Sequence, residues 1–394
     1  MTEKRHIYLD NSATTKISKE ALDKYIEVST LCYGNPSSLH SYGLLAEKEI
    51  SSAKEEILRS LGDKNSSVIF TASGSEANNL AIFGRAFAKD RYKKGAKIIT
   101  TSGEHASVFL PIEKLVKIGF KTAEIPTKNG YLDLDALEKE MTDDVILVSM
   151  MMVNNETGAL YDIKAVSDVM HRKSPEAVLH VDATQSYMKL KFTKNAIGAD
   201  MITLSSHKIE GPKGVGALVI DNKIIKNHGI APMILGGGQE LGLRSGTENV
   251  PGIAAFGVAV KRAVSALEEN VKKTEALRSF LVERLASDRQ TSEIVITNPE
   301  KHAPHILNIT LPSIKSETML HYLSSLGIFV SSGSACSSNS QNHVSSALIA
   351  YGKTEKEADS SIRISLSHTN TEDDILELCS ALSSGIARLA RMKR

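Results

Sequence analysis

Residues 178–214 read VLHVDATQSYMKLKFTKNAIGADMITLSSHKIEGPKG. Two short apolar runs, Val178–Val181 and Met201–Leu204, are each followed at once by polar residues. Runs of that length bounded by turn-forming residues predict strands covered on both faces. Upstream lie Val68–Phe70, Ile98–Thr101 and the near-continuous apolar run Val145–Val153, and downstream lies Ala217–Ile220. Between them, helical periodicity is visible from Glu76 to about Ala88, through Ala77, Leu80, Ala81 and Phe87, and from Val108 to Ile118. Alternating strands and helices predict an α/β fold with a mostly parallel sheet and helices on both faces.

Near Pro251 the texture changes. Ile253–Leu285 predicts one long helix or two consecutive ones, followed by the shorter strands Ile306–Thr310 and Gly327–Val330. A second, smaller α+β domain is expected there. The boundaries expected are 15–255 for the large domain, and 1–14 with 256–394 for the small one. Ser331–Ser346, half of it serine, can bury little apolar surface and is expected to be mobile.

The chain has 394 residues, 41% hydrophobic and 24% charged, which suits a folded protein with a large core. A net charge of +1 supplies no overall basic field for nucleic acid or a membrane surface. Val145–Val153 is far shorter than the roughly 20 residues that span a bilayer. The N-terminal MTEKRHIYLDNSATT has no apolar signal core. A cytoplasmic protein is the expectation. Three cysteines, Cys32, Cys336 and Cys379, argue against a disulfide framework, and no CxxC or HExxH suggests a metal site.

The polar residues after the strands are the candidate chemistry. In parallel α/β sheets, ligands bind at the carboxyl ends of strands. Lys208 stands just past one such end and suits a Schiff-base lysine, although a surface lysine in a turn has the same sequence context. Asp182 ends another, 26 residues earlier. An acid there needs a cationic or hydrogen-bonding partner, and the protonated ring nitrogen of pyridoxal phosphate would be one. A helix cap is the plainer alternative. TASGSE, Thr71–Glu76, joins a strand to a helix and could offer the backbone N–H groups of Gly74 and Ser75 to a phosphate. His105 in TSGEHASV could stack on a flat ring and handle protons. Asn154 and Asn155 in VNNETG could hydrogen-bond a ligand or merely shape a turn.

Ten blocks in order across the chain resemble the cysteine desulfurases of the iron–sulfur-cluster and nitrogen-fixation type. They are YLDNSATT, NPSSLH, FTASGSEANNLAI, EHASV, VNNETG, HVDATQS, SSHKIEGPKG, GGGQELGLRSGTENVPGI, VSSGSACSS and SIRISL. The resemblance implies the pyridoxal-phosphate-dependent transferase fold of type I, with a seven-stranded large-domain sheet. It implies that Lys208 carries the cofactor, Asp182 pairs with the pyridine nitrogen and Gln185 meets the ring hydroxyl. His105 would stack and move protons. Gly74, Ser75, Ser205 and His207 would hold the phosphate, and Thr247 would reach the phosphate of the partner in a homodimer. Asn155 would touch cofactor and substrate, and Arg363 would clamp the substrate carboxylate. Cys336, set among serines rather than apolar residues, would take sulfur from L-cysteine as a persulfide, leaving alanine. An iron–sulfur scaffold or a tRNA-thiolation relay would receive it next. Cys379 and Cys32 read as structural.

The chain departs from that pattern at Ser206, where glycine is usual, at Glu210, where an aromatic or histidine is common, and in lacking a proline after Cys336. A selenocysteine lyase would use the same lysine, aspartate and arginine. A small-amino-acid aminotransferase would not need Cys336. A non-catalytic partner-binding protein on this fold would not need the set at all.

Overall fold

The computed structural model describes residues 6–88, 95–311, 313–332 and 344–391. Seven strands form the large sheet: β2 Ser66–Thr71, β3 Lys97–Thr101, β4 Lys121–Ile125, β5 Val145–Met151, β6 Val178–Asp182, β7 Met201–Ser205 and β8 Gly216–Asp221. Their order is β2-β8-β7-β6-β5-β3-β4, and only β8 runs antiparallel to its neighbours. β5, β6 and β7 are buried along their whole length, as their unbroken apolar runs predict. β4 escaped the sequence reading because KTAEI is mostly polar, which suits an edge strand with one wet side.

Helices cover both faces. Helix α1 spans Lys19–Leu31, α2 Ser41–Ser60, α3 Gly74–Ala86 and α4 Ala106–Lys117. α3 starts where it does because the Ser73 hydroxyl accepts from the Glu76 N–H at 3.2 Å, while the Glu76 carboxylate accepts from the Ala72 N–H at 2.9 Å. The Val250–Ser287 segment is a single helix, capped by Asn249 with Pro251 in its first turn. It packs on α1 and α2, and its two ends enter different cores: Val250–Val260 one, Leu277–Leu285 the other. By length and composition this helix could cross a membrane, and half of the relevant window is buried inside the fold.

The second core is built on a four-stranded antiparallel sheet. Its order is β12 (Ser331–Ser332), β13 (Ser361–Ser365), β10 (Ile306–Thr310) and β9 (Val295–Thr297). β1 (Ile7–Tyr8) pairs in parallel with β11 (Ile328–Phe329), and Ile7 and Leu9 are buried in this second core. The chain's beginning is thus tied to its C-terminal third. Cys336 lies outside the described residues.

Candidate active site

A cavity of about 310 Å³ opens at the carboxyl ends of β5, β6 and β7. Its lining includes Gly74, Ser75, His105, Asn155, Asp182, Gln185, Ser205, His207, Lys208 and Arg363, all read from the sequence. Thr247 is exposed and stands outside that lining.

Each side chain has an identifiable local anchor. β7 ends at Ser205, and a short 3₁₀ turn over Ser206–Lys208 turns the lysine toward the cavity. Its ammonium donates to the carbonyls of Ser12 and Ala13, at 2.6 and 2.8 Å. Asp182, buried at the end of β6, accepts from the Thr184 N–H at 2.9 Å and from the Asn78 amide at 2.8 Å. The same amide donates to Ser107 Oγ at 2.9 Å, and Ser107 meets His105 Nδ1 at 2.8 Å. A hydrogen-bonded chain thus joins the acid to the histidine through two residues the sequence reading did not single out. Asn78 stands one turn into α3, in FTASGSEANNLAI, where its spacing from Gly74 puts it on the same helix face.

His105 also caps α4, because its Nδ1 accepts from the Ser107 N–H at 3.1 Å. A backbone N–H can only donate, so the proton of the neutral ring sits on Nε2. Burial pulls the imidazole below its ordinary range, with the Asp182 carboxylate opposing and Lys208 adding to the fall. His105 is therefore neutral near pH 7. His207 is pushed further, to about 4, by burial and by Lys208 and Lys213.

Beneath Asp182, His180 spans three strands inside the sheet. It meets Ser149 Oγ at 2.8 Å and Thr203 Oγ1 at 2.9 Å. Burial drives it down to about 4, so it is a neutral crossbar rather than a charge. Glu104 links the end of β3 to β5: its two oxygens accept from the Met151 N–H at 3.0 and 2.9 Å, and Oε1 accepts from Thr101 at 2.5 Å. Burial pushes its carboxyl up to about 8.

Arg363 reaches the cavity from β13. It is 4% exposed, and its guanidinium donates to Asp10 Oδ1 and to the Asn155 carbonyl, both at 2.9 Å. Its Nε is buried and meets no protein acceptor among the described residues. Asn154 divides from its neighbour in role. It is buried and holds the turn, accepting from the N–H groups of Glu156 and Thr157 and donating to Gly103.

The residues present fit pyridoxal phosphate. Buried Ser12 Oγ, Asn78 Oδ1 and Gln185 Oε1 meet no protein partner among the described residues, and all three residues line the cavity. Polar atoms so buried need a partner from a ligand or solvent. At the other end, α3 presents its N-terminus at Gly74 and Ser75, where a phosphate is favoured. A Cβ on Gly216 would lie 2.4 Å from the Ser73 carbonyl carbon and 2.7 Å from Gly74 N, so β8 can pass under this turn only as glycine. The Gln185 amide itself donates to the Ser12 carbonyl at 2.9 Å, leaving Oε1 for a ring hydroxyl.

The aminotransferase class-V family model matches residues 7–378. The chain is 36% identical to cysteine desulfurase IscS 1 of Archaeoglobus fulgidus over 388 residues, covering 98% of each protein. It is 38% identical to cysteine desulfurase 2 of Trichormus variabilis, over 97% of this chain and 94% of that one. Among solved structures, a NifS-like protein superposes with a TM-score of 0.88 at 34% identity, over 97% of this chain and all of that chain. SspA in complex with cysteine superposes with a TM-score of 0.78 at 30% identity, over 93% of this chain and all of that chain.

Proposed function

Because the chain belongs to the class-V aminotransferase family, we propose that it is a pyridoxal-phosphate-dependent cysteine desulfurase with the site just described. The observation that carries the reading is the convergence of Lys208, Asp182, His105 and Arg363, from separate elements, on one cavity. Pyridoxal phosphate, when bound, supplies the electron sink that loosens the bond from the cysteine Cβ to its sulfur.

The chain's own residues do the rest. Arg363 binds the substrate carboxylate with its planar fork, already held flat by Asp10 and the Asn155 carbonyl. Lys208 would carry the cofactor, and its amine is placed to take the substrate Cα proton. Asp182, oriented by Asn78 and Thr184, keeps the ring nitrogen protonated. His105 stacks on the ring and is placed to move protons at Nε2. Gly74, Ser75, Ser205 and His207 hold the phosphate. Cys336 as thiolate forms a bond to the substrate sulfur while the Cβ–sulfur bond breaks, and alanine leaves with a proton gained at Cβ. The persulfide then passes to an acceptor protein serving iron–sulfur assembly or tRNA thiolation.

A homodimer is part of the proposal. Leu22, Ile26 and Leu31 of α1, with Tyr42, Leu44 and Leu45 of α2, are exposed apolar side chains on neighbouring helices, the kind of surface a second copy covers. Thr247, exposed and outside its own cavity, would then serve the partner's phosphate. A large domain over 15–255 and a small one over 1–14 and 256–394 are part of the proposal. Labelled cysteine tests the whole reading: alanine forms and the label lodges on Cys336 as one sulfur. Unchanged alanine release by Cys336→Ala would overturn it.

A further inference from the structure

On the far side of Lys208 lies a second, smaller cavity of about 60 Å³, walled by three parts of the fold. The segments after β6 and β7 supply Lys189, Lys208 and Glu210, the long helix supplies Arg262, and the second core's edge supplies His305 and His368. By that measure a cavity needs only ~10–15 Å³ to admit one water, so this one has room for a few waters or a compact ion.

Arg262 is paired twice over, with Glu210 and, at 3.6 Å, with Glu20. Glu210 is the only carboxylate in the lining among the described residues, and it is already engaged. It pairs with Arg262 and lies 3.3 Å from His368 Nδ1. Lys189 has no ion pair among the described residues, and burial pushes its ammonium down to about 8 against the pull of Glu210. His305 is 2% exposed, and neither ring nitrogen meets a protein partner among the described residues. One of those nitrogens must bear a hydrogen with no protein acceptor. Burial, helped by Lys189 and Arg363, holds His305 well below its ordinary range, so the ring cannot neutralise anything as it stands. What the cavity lacks is an acceptor carrying negative charge. Donors arriving from separate elements suit an oxyanion, whose several oxygens can each face a different donor.

We propose that this cavity binds one small inorganic oxyanion, with Lys189 and His305 as its donors. Such an ion ties the Lys208 segment to the long helix and to the second core. It is separate from the phosphate position at Gly74 and Ser75, which lies in the other cavity.

The test titrates sodium sulfate into the cofactor-loaded enzyme by calorimetry, in gluconate of matched ionic strength, since gluconate is too large to enter. The expected result is saturable one-to-one binding. Lys189→Met and, independently, His305→Phe weaken it by roughly tenfold or more, the loss expected for one hydrogen bond to a charged group. Sodium chloride competes at least about tenfold less well than sulfate. Absence of saturable binding to the wild type overturns the proposal, as does undiminished binding by either variant with its near-ultraviolet dichroism intact. Chloride competing as well as sulfate overturns the oxyanion assignment. Sulfate lodged instead in an empty phosphate position would be insensitive to both substitutions, so a failure of the cofactor reading is told apart from a failure here.

Discussion

The carboxyl edge of the seven-stranded sheet and the four-stranded sheet facing it hold their functional groups by different means. On the first, partners come from the same sheet and its covering helices: Asp182 from Asn78 and Thr184, His105 from Ser107. On the second, Arg363 takes one partner, Asp10, from the N-terminal segment packed with this core, and one, the Asn155 carbonyl, from after β5. Both flanks of the Cys336 segment attach close by. Ser331 pairs opposite Arg363, and Ser345 donates to Glu156 at 2.6 Å. One flank of that segment therefore shares a sheet with Arg363, and the other is held by the turn after β5. The groups proposed to manage electrons and protons stand on the seven-stranded sheet.

The comparison can be broken most severely at Lys208. Lys208→Ala should lower alanine formation by about a thousandfold or more, and borohydride reduction followed by peptide mapping should no longer find cofactor on residue 208. Asp182→Asn removes a buried charge and should cost on the order of 10²–10³ in kcat with KM little changed. Arg363→Lys keeps charge but loses the fork, so it should raise the KM for cysteine by roughly 10–100-fold and leave kcat closer to wild type. A kcat loss there equal to that of Asp182→Asn would erase the distinction between the two regions.

Stability offers a finer measure. Glu104 keeps its proton in the folded chain up to about 8, whereas the ordinary carboxyl loses it near 4.5. Between those values the folded state binds more protons than the unfolded one, so stability falls as pH rises. The slope approaches on the order of 1 kcal/mol per pH unit. Glu104→Gln should flatten it, as read from denaturant midpoints at pH 5 to 8. The smallest effect belongs to the other region. Thr354 and Glu357 form a reciprocal cap on the short helix Glu355–Asp359, and Thr354→Ala should cost about 1 kcal/mol without touching kcat.

Much of the catalytic edge was legible because it is written locally. An apolar run followed by Asp182, or by Ser205–Lys208, announces a strand and what stands at its end. The same logic missed Asn78, Ser107 and Glu104, which act through other residues rather than at a strand's end. It also missed β4, whose polar face hides the strand period, and gave Asp10 no role, since its partner lies 353 residues away. The Glu210 departure was noticed as an oddity, and only its bonds to Arg262 and His368 give it a physical setting.

By itself the sequence determined the alternation of elements, the buried central strands and the order of the chemical groups along the chain. Those follow from periodicity and from which residues tolerate burial, both local properties. Tertiary structure alone decided which groups meet: the Asp182–Asn78–Ser107–His105 chain, the grip of Asp10 on Arg363 and the meeting of Lys189 and His305 behind Lys208. Hydrogen bonds and charges act over a few ångströms of space whatever the separation along the chain, so only the folded path could bring those partners within reach.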